Sequence, residues 1–168
     1  MSKRARQYLG LLAAVAAYYL IHEGAHLAYA LATGTYRQIR FLGLGIQIDV
    51  YAEKMTDLQM GLFCMVGAMA TMAGAWILTA LAGKIIKADS KVFRACMYYI
   101  SLALLFLDPV YLGLLCSFFG GGDMNGIALL FPEAAVRIFF VCLLVLHAVL
   151  FRKWILPMYI RSFQEGET

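Results

Sequence analysis

Two histidines and a glutamate stand at a spacing that supports chemistry: His22-Glu23-Gly24-Ala25-His26. On an α-helix, residues four apart lie one above the other on a single face, so both imidazoles can reach one metal ion. Glu23 projects close enough to hold a water on that metal. The pattern belongs to zinc-assisted hydrolysis, with two ring nitrogens as ligands and a carboxylate as base. It lies inside an apolar stretch from about Leu9 to Ala32, where ionisable groups are costly and mark function.

A catalytic zinc ion takes about three protein ligands and keeps one position for water. Asp123 is the first choice for the third. It sits in Gly120-Gly-Gly-Asp-Met-Asn-Gly126, where three glycines break the preceding apolar run and let backbone approach closely. Asp108, before Pro109 and half-way along that run, is the runner-up. Glu53 and Glu133 are further carboxylates. Glu133 follows Pro132 and precedes Arg137 by four residues, which suits capping or an ion pair. His147 is on the wrong side by depth and reads as a hydrogen-bonded packing residue. Asn125 can donate to a developing oxyanion, or simply form a turn. Cys64, Cys96, Cys116 and Cys142 all fall in apolar runs and read as small hydrophobes.

These groups need a scaffold, and composition says which kind. Of 168 residues, 63% are hydrophobic and only 14% are charged, too few polar groups to cover a soluble domain of this size. The net charge of +4 is too modest to suggest a nucleic-acid partner. The expected fold is an all-α polytopic membrane protein, one domain over residues 1–168, in contact with the lipid bilayer. A span needs roughly 20 apolar residues, and four segments qualify, at about 8–32, 58–82, 95–119 and 134–150. The first run is too long for a signal-peptide core and reads as a retained span.

After Gly34 the pattern changes. Ile46, Ile48 and Val50 alternate with Gln47, Asp49 and Tyr51, a period of two that means strand. Gly43 and Gly45 permit a turn before it, which predicts a short hairpin over Ile39 to Val50. Its free edge would hold a substrate stretch extended. In the second span, Gly67, Ala70, Thr71, Gly74 and Ala75 form a small-residue face for close approach of the first helix. The tail from Trp154 to Thr168 reads as an interfacial cap, with about the last four residues disordered.

Four spans put Lys3, Arg4, Arg6, Lys84, Lys87, Lys91, Arg94, Arg152, Lys153 and Arg161 on one side. Arg37, Arg40, Lys54 and Arg137 fall on the other. The positive-inside rule then predicts a multi-pass cell-membrane protein with both termini cytosolic. His22 falls roughly 21 Å along the helix axis from Tyr8, nearer the outer leaflet.

Taken together, H-E-x-x-H in a first span, a strand-forming segment, a glycine-rich second span and a later Gly-Asp resemble the site-2 protease family of intramembrane zinc metalloproteases. The resemblance covers about Tyr8 to Val145 and is closest to compact members without a PDZ domain. It departs from larger members in lacking Asn-x-x-Pro-x-x-x-Asp-Gly around the aspartate and Gly-Pro-x-x-Asn in the second span, where Gly67-Ala-Met-Ala-Thr71 stands. The resemblance implies one Zn²⁺ per chain on His22, His26 and Asp123, with Glu23 as catalytic base. It also implies cleavage of a transmembrane protein or peptide. Family members commonly hold zinc nearer the cytosol, against the charge count here. Other classes compatible with the residues are a non-catalytic relative that binds membrane helices, a membrane zinc transporter and a haem protein. The oligomeric state is open.

Overall fold

The computed structural model describes residues 1–43 and 45–164. Helix α1, Lys3–Ala32, starts at Ser2, whose side chain accepts from the Ala5 N–H, and stops just before Gly34. Gly34 takes a φ of 67°, the left-handed conformation that ends helices at little cost when no Cβ is present. Strands β1, Tyr36–Leu42, and β2, Gly45–Val50, then form an antiparallel hairpin pairing Ile39 with Ile48 and Phe41 with Ile46. The hairpin begins earlier than the alternation alone indicates, because β1 carries Tyr36-Arg37-Gln38 through an irregular register to pair with Val50.

Helix α2, Asp57–Ile85, opens with a full capping box in which Thr56 and Gln59 satisfy each other's backbone N–H. Helix α3, Lys91–Val110, continues through a wide turn at Tyr111–Leu115 and a tight one at Cys116–Phe119. Gly120, Gly121 and Gly122 then reverse the chain with φ of 78°, 87° and 49°, and short helix α4, Asp123–Ile127, follows. Helix α5, Glu133–Leu150, passes through a second wide turn, Phe151–Ile155, into α6, Leu156–Gln164.

Among the described residues, four helical runs are long and apolar enough to cross a membrane: Lys3–Ala32, Asp57–Ile85, Lys91–Phe119 and Glu133–Gln164. The number matches the sequence expectation. The last run differs from it. The helix continues beyond Leu150 to Gln164, and Ile155 and Tyr159 bury themselves beside Leu104 and Leu105 of α3. The terminal residues expected to be disordered, 165–168, lie outside the described residues.

Helices α1, α2 and α3 each pack against the other two, and α5 packs on α3 and its wide turn. Pro109 accounts for part of that contact. A proline within a helix cannot bond the carbonyl four residues back. Here that carbonyl is Leu105 O, and the fully buried His147 of α5 donates to it from Nδ1 at 2.6 Å. His147 is thus the hydrogen-bonded packing residue its position suggested.

Two glycines seat α4 on α2. A Cβ on Gly126 would stand 3.2 Å from Met60 O and collide with the Cys64 side chain; one on Gly61 would come 3.1 Å from Gly126 O. Backbone carbonyls cannot swing aside as side-chain ends do. Gly126→Ala is expected to cost about 1–3 kcal/mol as overpacking and to lift α4 from its seat. Thermal unfolding in detergent measures this, and an unchanged midpoint would contradict it.

Candidate metal centre

Along α1 one ridge recurs every four residues: Gly10, Ala14, Tyr18, His22, His26 and Ala30. All but the half-buried Tyr18 are buried. The ridge exists because i and i+4 share a helix face. Gly10 sits against Tyr99 and Ala95 of α3, and further along the two histidines meet α2 and α4.

Each imidazole has an acceptor beside its Nδ1. His26 Nδ1 lies 2.7 Å from Phe63 O of α2. A carbonyl only accepts, so Nδ1 carries the hydrogen and Nε2 keeps a lone pair. His22 Nδ1 lies 3.3 Å from Asp108 Oδ1 of α3, a bent approach that falls short of a full hydrogen bond. Tyr18 stacks on the His22 ring at 5.2 Å between centroids, with planes 22° apart.

The two Nε2 atoms face each other at 3.2 Å, and Asp123 Oδ2 lies 3.2 Å from His22 Nε2 and 3.5 Å from His26 Nε2. Ligand atoms at the corners of a tetrahedron with bonds of about 2.0–2.1 Å stand about 3.3–3.4 Å apart. The three separations fit that figure. Were both rings to carry their hydrogen on Nδ1, two nitrogen lone pairs and a carboxylate oxygen would converge on one point, a donor set suited to a divalent cation; as placed, His22 Nε2 is also within hydrogen-bonding reach of Asp123 Oδ2. Asp123 is the most exposed of the three side chains, at 22% against 9% and 4%, so the triangle opens on its side.

The floor of the triangle is Gly67. A Cβ there would stand 2.8 Å from His22 Nε2 and closer still to His26 Nε2. The small-residue face of α2 therefore does more than admit α1. It leaves room at the point where the ligands meet. Asp123 reaches the same point through the Gly120–Gly122 reversal and the Gly61–Gly126 seat.

The other sequence-selected residues fall around this triangle. Asp108, the runner-up ligand, is not in the convergent group of His22, His26 and Asp123; it lies behind His22, 1% exposed, on the Nδ1 side. Asn125 uses its amide N–H on Gly120 O at 2.9 Å, closing the glycine reversal. Glu133 pairs with Arg137, and Glu53 is exposed in the turn before α2. Glu23 lies on the side of α1 near Ile48, and β2 packs against α1. Ile48 is buried against the core that includes Ala30 and Phe63, with Val50 partly buried beside it, and Ile46 is half-buried. The four cysteines are unpaired; Cys64 and Cys116 are buried, Cys96 is half-buried and Cys142 is exposed.

Sequence reasoning passed over Tyr18, Thr71 as a polar partner, and Gly67 as the floor. Tyr18 was detectable, since it precedes His22 by one helical repeat of four. Thr71 and Gly67 carried no such signal, because nothing local says what faces a small residue. No family model, curated protein or solved structure matches this chain, so the meaning of the centre rests on its own geometry.

Proposed function

We propose that this chain is an intramembrane zinc metalloprotease, hydrolysing a peptide bond in or near a transmembrane segment of a membrane-anchored protein or peptide. The observation that carries the proposal is the meeting of His22 Nε2, His26 Nε2 and Asp123 Oδ2 at 3.2–3.5 Å, with Glu23 on the adjoining position of α1.

His22, His26 and Asp123 would hold one Zn²⁺. A bound zinc ion would polarise the scissile carbonyl and bring the pKa of a water towards neutrality. Glu23 takes a proton from that water as its oxygen bonds to the carbonyl carbon. As the C–N bond breaks, Glu23 returns the proton to the leaving amine. Helical substrate hides its peptide bonds in its own hydrogen bonds, so it must unwind first, most easily at Gly, Pro or Asn. The edge of β2 beside Glu23 supports capture of the unwound stretch by strand addition, through Ile46, Ile48 and Val50. Read with the distribution of Lys and Arg, both termini lie in the cytosol.

Purified protein in proteoliposomes, given a transmembrane peptide with a Gly or Pro near one end, tests the reading. Cleavage should stop on chelation and return with one zinc per chain, and Asp123→Ala should lose both metal and cleavage. Retained zinc in Asp123→Ala would remove it as third ligand. Zinc flux across the vesicles with no cleavage would replace the protease with a transporter. Absence of both would favour a helix-binding protein.

A further inference from the structure

Asp108 has no part in the hydrolysis above, yet it is the most enclosed carboxylate among the described residues, 1% exposed in mid-helix. A buried carboxylate persists only when its oxygens are satisfied. Tyr18 Oη of α1 donates to Oδ1 at 2.6 Å, and Thr71 Oγ1 of α2 donates to Oδ2. His22 Nδ1 comes to 3.3 Å from the same Oδ1 and has no other partner among the described residues. Two hydroxyl donors, one on each oxygen, leave Asp108 as an acceptor facing the ring. Tyr18 is engaged twice, since it also stacks on His22.

From this network we infer that Asp108 is a positioning residue for His22. It retains the hydrogen on Nδ1, turns the lone pair of Nε2 towards His26 and Asp123, and is itself aimed by Tyr18 and Thr71. A neutral imidazole carries one hydrogen, and the partner of one nitrogen decides what the other can do. His26 meets the same requirement with a backbone carbonyl, Phe63 O. His22 meets it with a carboxylate held by three different helices, so the ligand geometry depends on how α1, α2 and α3 pack. The inference rests on the reading of the triangle as a metal centre, but the competition it describes, Asp108 at Nδ1 against Asp123 at Nε2, exists without metal.

The test uses that independence. The chain has only three histidines, so ¹⁵N-histidine labelling of metal-free protein in micelles gives a spectrum simple enough to assign by single substitution. His22 should share its hydrogen between Nδ1, facing Asp108, and Nε2, facing Asp123, in the parent, and carry it on Nδ1 in Asp123→Ala, which removes the competing acceptor. In Asp108→Asn the amide offers a donor as well as an acceptor, so the Nε2–H form should grow, as occurs when an Asp that orients a catalytic histidine becomes Asn. Zinc affinity by chelator competition should fall by about 10–100-fold in Asp108→Asn, the usual cost of losing such a partner. Tyr18→Phe and Thr71→Val, which keep the carboxylate, should fall by less and serve if Asp108→Asn misfolds. His22 with its hydrogen on Nε2 in Asp123→Ala would overturn the inference. So would an Asp108→Asn protein with unchanged tautomer and zinc affinity. A parent that shows the Nδ1–H form yet binds no zinc would refute the protease and leave the positioning role standing.

Discussion

Gly67→Ala should yield a folded four-helix protein that no longer binds metal. The added Cβ falls 2.8 Å from His22 Nε2, with His26 Nε2 nearer still, and both atoms are the far ends of side chains. Imidazole rings can swing away, so the helix packing has a way to survive. What cannot survive is the separation of 3.2 Å between the two Nε2 atoms, because each ring must leave the point where they meet. Zinc affinity should fall by more than about 100-fold, beyond the range for loss of an outer partner. Helicity by circular dichroism and elution in detergent should remain close to the parent. Tight zinc binding by Gly67→Ala would show that the ion does not sit over Gly67. Gly24→Ala is the control, since a Cβ there meets nothing within 4 Å although the residue lies inside the motif.

Substituting the base separates binding from chemistry. Glu23→Gln keeps the size of the side chain and removes the group that takes the proton. Glu23 lies outside the convergent group of His22, His26 and Asp123, so zinc should be retained at one per chain. Turnover should drop by about 10²–10⁴-fold, the usual contribution of a positioned general base. The amide cannot take up the water's proton as the carboxylate does, while it matches the carboxylate in size, so the hairpin should stay in place. A Glu23→Gln protein that cleaves at the parental rate would sink the assignment of Glu23. One that has also lost zinc would place Glu23 in the metal site rather than beside it.

How far the sequence reaches can be judged residue by residue. His22, Glu23 and His26 were legible because i, i+4 spacing on a helix is a local property. The four apolar runs, the hairpin around Gly43 and the reversal at Gly120–Gly122 were legible for the same reason: length, period and turn chemistry are set by near neighbours. The helical continuation of the tail was not legible at that level. Trp154, Tyr159 and Arg161 have the composition of an interfacial segment, and Tyr159 also finds a buried place beside α3, a contact that composition does not report.

The sequence by itself determined that two histidines, spaced to share one metal ion, lie with a glutamate in a membrane-length helix, and that a glycine-flanked aspartate follows later in the chain. Only the tertiary structure decided which carboxylate meets the pair. Asp108 and Asp123 both approach His22, one at Nδ1 and one at Nε2. The different roles proposed for the two carboxylates therefore come down to the side of one ring. That side is set by the rotation of α3 and the seating of α4, which depend on contacts such as Gly61 on Gly126, across a gap of 101 residues between His22 and Asp123. No periodicity carries such information, because close approach of two helices is a property of the pair.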